Sequence, residues 1–196
     1  MLDNENVSLD EVLGEDTLIQ EVKGTNPKVL QFLAKEEIIS KLLDYLTKNP
    51  SKDVLSQDEY ELALFKYPYI VCEIFCCDKK QINLVVANHP NLIAKFFDYL
   101  KNNTEEASNL NPARSGYVLR AFGSLFDENY AIFADHLFKL DAQFSEGKQD
   151  AFLDLILNQI HLPDMDNLLL RILGFSVENT FEDFGLALYG GRQFRD

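Results

Sequence analysis

The sequence has no tryptophan and few of the residues that punctuate a chain: six prolines and nine glycines in 196 positions. The missing tryptophan excludes nothing. The shortage of proline and glycine excludes a chain of hairpin turns. Bases are scarce too, 18 lysines and arginines against 32 acids, for a net charge of −14. A nucleic-acid groove needs a basic face to neutralise phosphates, and so does an anionic membrane surface. Neither partner is expected. A basic patch on a protein partner would suit this chain, although acidity also serves simply to keep a surface soluble. No apolar run approaches the roughly 20 residues of a membrane span. The densest stretch, Tyr69 to Cys77, is short and carries Glu73. The opening residues, MLDNENVSLD, are acidic and polar, so no secretory signal is expected. Cys72, Cys76 and Cys77 form an odd, clustered set that does not read as a disulfide framework. A reduced compartment is expected, the cytoplasm first and the nucleus second.

Apolar residues, by contrast, are plentiful and recur throughout, with 15 Phe and 8 Tyr, which argues against intrinsic disorder over most of the length. Their spacing is helical nearly everywhere. Ser8 and Glu11 form a capping box ahead of Val12 and Leu13. Asn26–Pro27 reads as an N-cap and first helical position, with Val29, Leu30 and Leu33 buried. Ile38, Ile39, Leu42, Leu43 and Leu46 follow an amphipathic helical stripe, which Asn49–Pro50 stops. A loop from Ser51 to Asp58 leads to a helix near Glu59 to Phe65. Tyr67–Pro68 is expected to interrupt that helix and start another, with Ile70, Val71, Ile74 and Phe75 buried. Further helices are expected over Asn91–Leu100, Pro112–Phe126, Tyr130–Leu140, Glu146–Gln159 and Met165–Phe175, with a polar loop from Asn102 to Leu110. Beyond Gly174 the pattern weakens, and the closing GRQFRD reads as frayed.

A repeat runs through these helices. IISKLLDYLTKN from Ile38 matches LIAKFFDYLKNN from Leu92, 54 residues on, with identities at Ile39/Ile93, Lys41/Lys95, Asp44/Asp98, Tyr45/Tyr99, Leu46/Leu100 and Asn49/Asn103. A fainter third copy, FLDLILN, begins at Phe152. Each copy is followed by a second apolar helix, YIVCEIF at Tyr69, YVLRAFG at Tyr117 and NLLLRILG at Asn167. One helix pair per unit, each hiding its apolar face against its neighbours, is the logic of an α-solenoid. The expected fold is therefore all-α, a solenoid of stacked helix pairs of the armadillo or HEAT kind. Its spacing exceeds the roughly 40–47 residues of those units, which extra short helices and loops could supply.

The residues offer little chemistry. His89, His136 and His161 form no H-E-x-x-H helix. His161, Asp164 and Asp166 could be read as a hard-metal cluster, but a helix–helix turn with Asp164 as N-cap is the preferred reading. Zinc at Cys72 and Cys76 would need two further ligands at matching spacing, and a catalytic thiol would need an electropositive setting that Glu73 and Asp78 do not give. The cysteines are read as packing residues. No phosphate-binding glycine loop or nucleophile elbow occurs. No catalytic residue, cofactor or metal is assigned. Arg120 and Arg171 occupy corresponding places in VLRAF and LLRIL, and a buried guanidinium must be paired. A brace to an acid of the neighbouring unit is preferred over a partner-facing role.

Three blocks carry a family resemblance. Asp10 to Leu33 contains Glu11-Val12-Leu13, Glu15-Asp16, Ile19-Gln20-Glu21-Val22-Lys23, Asn26 and Phe32-Leu33. Lys66-Tyr67-Pro68 is followed by Cys72-Glu73. Met165-Asp166 is followed by Leu168 to Leu170, Arg171 and Leu173. In this order they resemble the N-terminal part of the SAPS-domain proteins, the regulatory subunits of protein phosphatase 6. The resemblance implies a helical-repeat scaffold binding the phosphatase catalytic subunit, often with an ankyrin-repeat subunit, while metal and hydrolysis stay with the catalytic subunit. Among the matching residues, Lys66, Glu73, Asp166 and Arg171 are polar enough to be candidate partner contacts. A helical domain over 1–175 and a tail over 176–196, partly disordered or divergent, are expected. Family domains are longer, so a fragment, a truncated product or a short divergent member is expected. The rivals are an unrelated armadillo-like adaptor and a small enzyme built around His161, Asp164, Asp166 or Cys76.

Overall fold

The computed structural model describes residues 7–51, 53, 55–102, 112–144, 156–162 and 164–172. Among them all regular structure is helical. The elements are α1 (Leu9–Gly14), α2 (Leu18–Lys23), α3 (Pro27–Leu33), α4 (Glu36–Thr47), α5 (Gln57–Glu61), a π turn (Leu62–Lys66), α6 (Tyr67–Cys76), α7 (Lys80–Asn88), α8 (Pro90–Asn102), α9 (Pro112–Glu128), α10 (Tyr130–Phe144) and α11 (Met165–Ile172). The expected tail at 176–196 and most of the third copy at Phe152 lie outside the described residues.

Local chemistry sets the helix starts. Ser8 accepts from the Glu11 amide while the Glu11 carboxylate caps Ser8, and Ser56 with Glu59 repeats the device ahead of α5. Asn26 accepts from the Lys28 amide at 3.0 Å with Pro27 in the first turn. The stripes then bury: Ile38, Ile39, Leu42, Leu43 and Leu46 of α4, and Leu92, Ile93, Phe96, Phe97 and Leu100 of α8, at the same five repeat positions. Each large side chain so buried contributes roughly 1.5–3 kcal/mol.

The units stack as a solenoid. Helix α4 packs on α8, α6 on α9, and α9 on α11. The unit is larger than a helix pair, because α7 and α10 add a third helix to each copy and touch one another. Helix α7 escaped the sequence reading for a physical reason. It starts without a side-chain cap, and Asn83 interrupts its buried face. That buried amide donates to Asp78 at 3.2 Å, a residue in the left-handed region (φ 57°) at the turn between α6 and α7.

Candidate functional site

Residues 57–76 form one helix, since Leu62, Lys66 and Tyr67 all keep right-handed helical backbone. The break expected at Tyr67–Pro68 does not occur. Pro68 has no amide to give the Leu64 carbonyl, and its ring would clash with that oxygen in a regular helix. The turn before it widens into the π form, which relieves the clash. Arg114 then takes up the stranded carbonyls. Its Nη2 donates to Ala63 O at 3.0 Å and Leu64 O at 3.2 Å, and its Nη1 to Tyr45 O at 3.2 Å and to Lys48 O at the end of α4. Arg114 is 2% exposed, and this burial lowers its pKa. It ties the first unit to α9 through four carbonyl bonds. The sequence reading missed it. The available signal was a cation in the first turn of a helix, where the dipole disfavours one.

The outer side of this widened helix is apolar. Phe65 is 57% exposed, Tyr69 43% and Leu62 36%, while Ala63, Tyr67, Ile70, Val71 and Ile74 face the core. Tyr69 meets Tyr117 of α9 edge-on, ring centroids 5.8 Å apart, so the ridge continues onto the next unit. Exposed acids stand above it on α5, at Asp58, Glu59 and Glu61.

Two of the four candidate contacts border this ridge. Lys66 turns its ammonium onto the Gly14 carbonyl at 3.0 Å and Asp16 at 3.5 Å. Glu73, one turn after Tyr69, pairs with Arg120 of α9 at 2.9 Å. The other two lie on α11. Asp166 is exposed in the first turn, and Arg171 reaches back to Asp127 and to the Gly123 carbonyl at 3.3 Å on α9. A Cβ on Gly123 would sit 3.3 Å from Arg171 Cδ, so the glycine leaves room for that side chain. Both arginines thus bridge to the preceding second helix, but Asp127 is half exposed.

Cys72 and Cys76 lie 4.0 Å apart on α6, and all three cysteines are free. The contact with Cys72 lowers the Cys76 thiol to about 7, while the same contact and burial raise that of Cys72. The fold brings Arg120 beside Cys76, a cation that the local sequence does not announce. Asp164 directly precedes α11 at φ 63° and accepts from the Asn167 side chain at 3.2 Å. Among the described residues, no three of His, Cys, Asp and Glu gather as a metal-binding group. No described helix is long and apolar enough to cross a membrane.

Stacked helical units, braced from one second helix to the next, define the chain as an all-α solenoid. Its relatives narrow the class. It is 29% identical over 173 residues to human serine/threonine-protein phosphatase 6 regulatory subunit 2, covering 88% of this chain and 16% of that protein. It is 31% identical over 173 residues to subunit 3 of Gallus gallus, covering 88% of this chain and 18% of that protein. Extragenic suppressor of kinetochore protein 1 of Schizosaccharomyces pombe is 27% identical over 124 residues, 62% of this chain and 14% of its own length. No family model and no solved structure matches. The chain is homologous, along most of its length, to the SAPS-domain regulatory subunits of protein phosphatase 6. It spans less than a fifth of the length of these relatives.

Proposed function

We propose that the chain is a regulatory or scaffolding subunit for a Ser/Thr phosphatase catalytic subunit of the protein phosphatase 6 type. It binds that subunit and steers its substrates, and the hydrolytic chemistry belongs to the partner. The relationship over 88% of the chain to proteins named as regulatory subunits carries this reading. The stack of helical units supports the reading: packed helices that present side chains along an extended face. An ankyrin-repeat subunit is a second partner on the same reading, and the cytoplasm is the expected place of action. The experiment is direct binding of the purified chain to a purified catalytic subunit of this type, by calorimetry and co-elution. Complex formation is expected, with no phosphatase activity in the chain alone. Failure to bind at tens of micromolar would overturn the proposal.

A further inference from the structure

The least explained feature of the described surface is the apolar ridge on the widened helix. A helical Phe that is 57% exposed is unremarkable alone. Here it is joined by Leu62, Tyr69 and, through an edge-on ring contact, Tyr117. The ridge sits on and just after the π turn that accommodates Pro68. The distortion is held from behind by buried Arg114, so the ridge stands on a rigid base. Large aromatic side chains on a rigid base are what interface hot spots are made from.

We infer that Phe65 and Tyr69, with Leu62 and Tyr117 at their edges, are the anchor by which the chain docks on the phosphatase catalytic subunit. This rests on the function proposed above. Charge points to the kind of surface that fits. Asp58, Glu59 and Glu61 stand exposed on α5 and the ammonium of Lys66 is turned onto Gly14 and Asp16, while at the other end Glu73 is mostly buried and paired with half-exposed Arg120. The complement is an apolar socket with a basic rim on the side that meets α5. A second copy is the poorer fit, because each chain carries a net charge of −14 and two copies repel. Apolar anchors then hold the complex, while the acids speed its formation.

The test measures binding of the purified catalytic subunit to the full chain and to Phe65→Ser. Leu157→Ser is the control, since Leu157 is 47% exposed elsewhere. Phe65→Ser is expected to weaken binding at least tenfold with the far-UV circular dichroism and melting temperature of the wild type, and Leu157→Ser to leave binding unchanged. Wild-type binding that Phe65→Ser does not weaken overturns the docking site and leaves the proposed function standing. Equal loss in both variants overturns it as well, by making the effect one of general surface apolarity. No binding by the wild type overturns the proposed function and the docking site with it. A wild-type dimer that Phe65→Ser dissolves assigns the ridge to a second copy and overturns the inference. Asp58→Lys combined with Glu61→Lys touches no core residue. It is expected to slow association severalfold and flatten its salt dependence, and an unchanged rate overturns the basic-rimmed socket.

Discussion

Helices α4 and α8 are two copies of one sequence, yet they hold the fold by different means. Their buried positions coincide, but Leu42 and Leu43 of the first copy are Phe96 and Phe97 in the second. Phe96 stacks on Phe122 at 4.8 Å, Phe97 meets Phe122 edge-on at 5.6 Å, and Phe133 joins at 5.8 Å. At these two positions the first copy packs branched aliphatics and the second interlocked rings. Their polar positions diverge further. Lys41 is exposed, whereas Lys95, its equivalent, reaches across to Ser40 and Asp44 of α4. Tyr45 donates to exposed Asp10, whereas Tyr99 is buried against the Ser115 hydroxyl at 2.9 Å. Apolar repeat positions keep one task in both copies, burial in the continuous core. What a polar repeat position does depends on which unit lies next to it, and the two copies have different neighbours.

The largest expected effect tests the shared positions. Leu42→Ala and Phe96→Ala should each destabilise by about 3–5 kcal/mol, with Phe96 the greater because ring contacts are lost with the area. Urea melts that found either substitution nearly neutral would break the equivalence of the two copies.

Next comes the tie that holds the first unit to α9. Arg114→Met should cost on the order of 3 kcal/mol, because buried carbonyls of Ala63 and Leu64 lose their donor. Arg114→Lys should recover little of it, since an ammonium cannot span both carbonyl pairs. Full recovery by lysine in thermal melts would count against the four-carbonyl description.

Lys95→Ala should cost about 1–2 kcal/mol and Lys41→Ala under about 0.5 kcal/mol, the difference measuring the contact between units. It also carries a pH signature. Burial pushes the Asp44 carboxyl up, but hydrogen bonds and charge from Lys95 and Lys48 outweigh it and hold the pKa below the usual value. The stability this gives is present above the unfolded carboxylate's pKa and is lost as pH falls through the lowered folded value. Lys95→Ala should therefore flatten the acid limb of a stability–pH curve, and an unchanged limb would contradict the bridge.

Tyr99→Phe should cost about 1 kcal/mol by stripping Ser115 of its partner, and Tyr45→Phe less than about half of that, because Asp10 is exposed to water. Equal losses would mean the tyrosines are not distinguished by their neighbours. Arg171→Ala should likewise cost under about 1 kcal/mol, since Asp127 is half exposed and can return to water. A fully buried pair would have made this one of the largest effects. Run beside the binding assay, it separates a brace from a partner contact: lost binding at full stability would make Arg171 a contact.

The helical class, the copies at Ile38 and Leu92 and most helix starts were legible because they depend on contacts within a turn or two. Caps such as Ser8 with Glu11 and stripes such as Leu42 with Leu46 are local in sequence. The relatives bear out the family resemblance read from scattered blocks such as Lys66-Tyr67-Pro68. The candidate site was only half visible. Lys66 and Glu73 were singled out for being polar within a matching block, while Phe65 and Tyr69, exposed in the fold, were not.

By itself, then, the sequence determined where the chain coils, which face of each coil is apolar and that the coils come in related units, since all three follow from spacing of 3 to 4 residues and from capping chemistry. Only the tertiary structure decided which polar residues meet across 47 to 51 residues: Arg114 with the carbonyls of Ala63 and Leu64, Lys95 with Asp44, and Arg120 with Glu73. It also decided that Pro68 widens a helix and does not end it, because the wider turn relieves its clash and a guanidinium from the next unit satisfies the freed carbonyls.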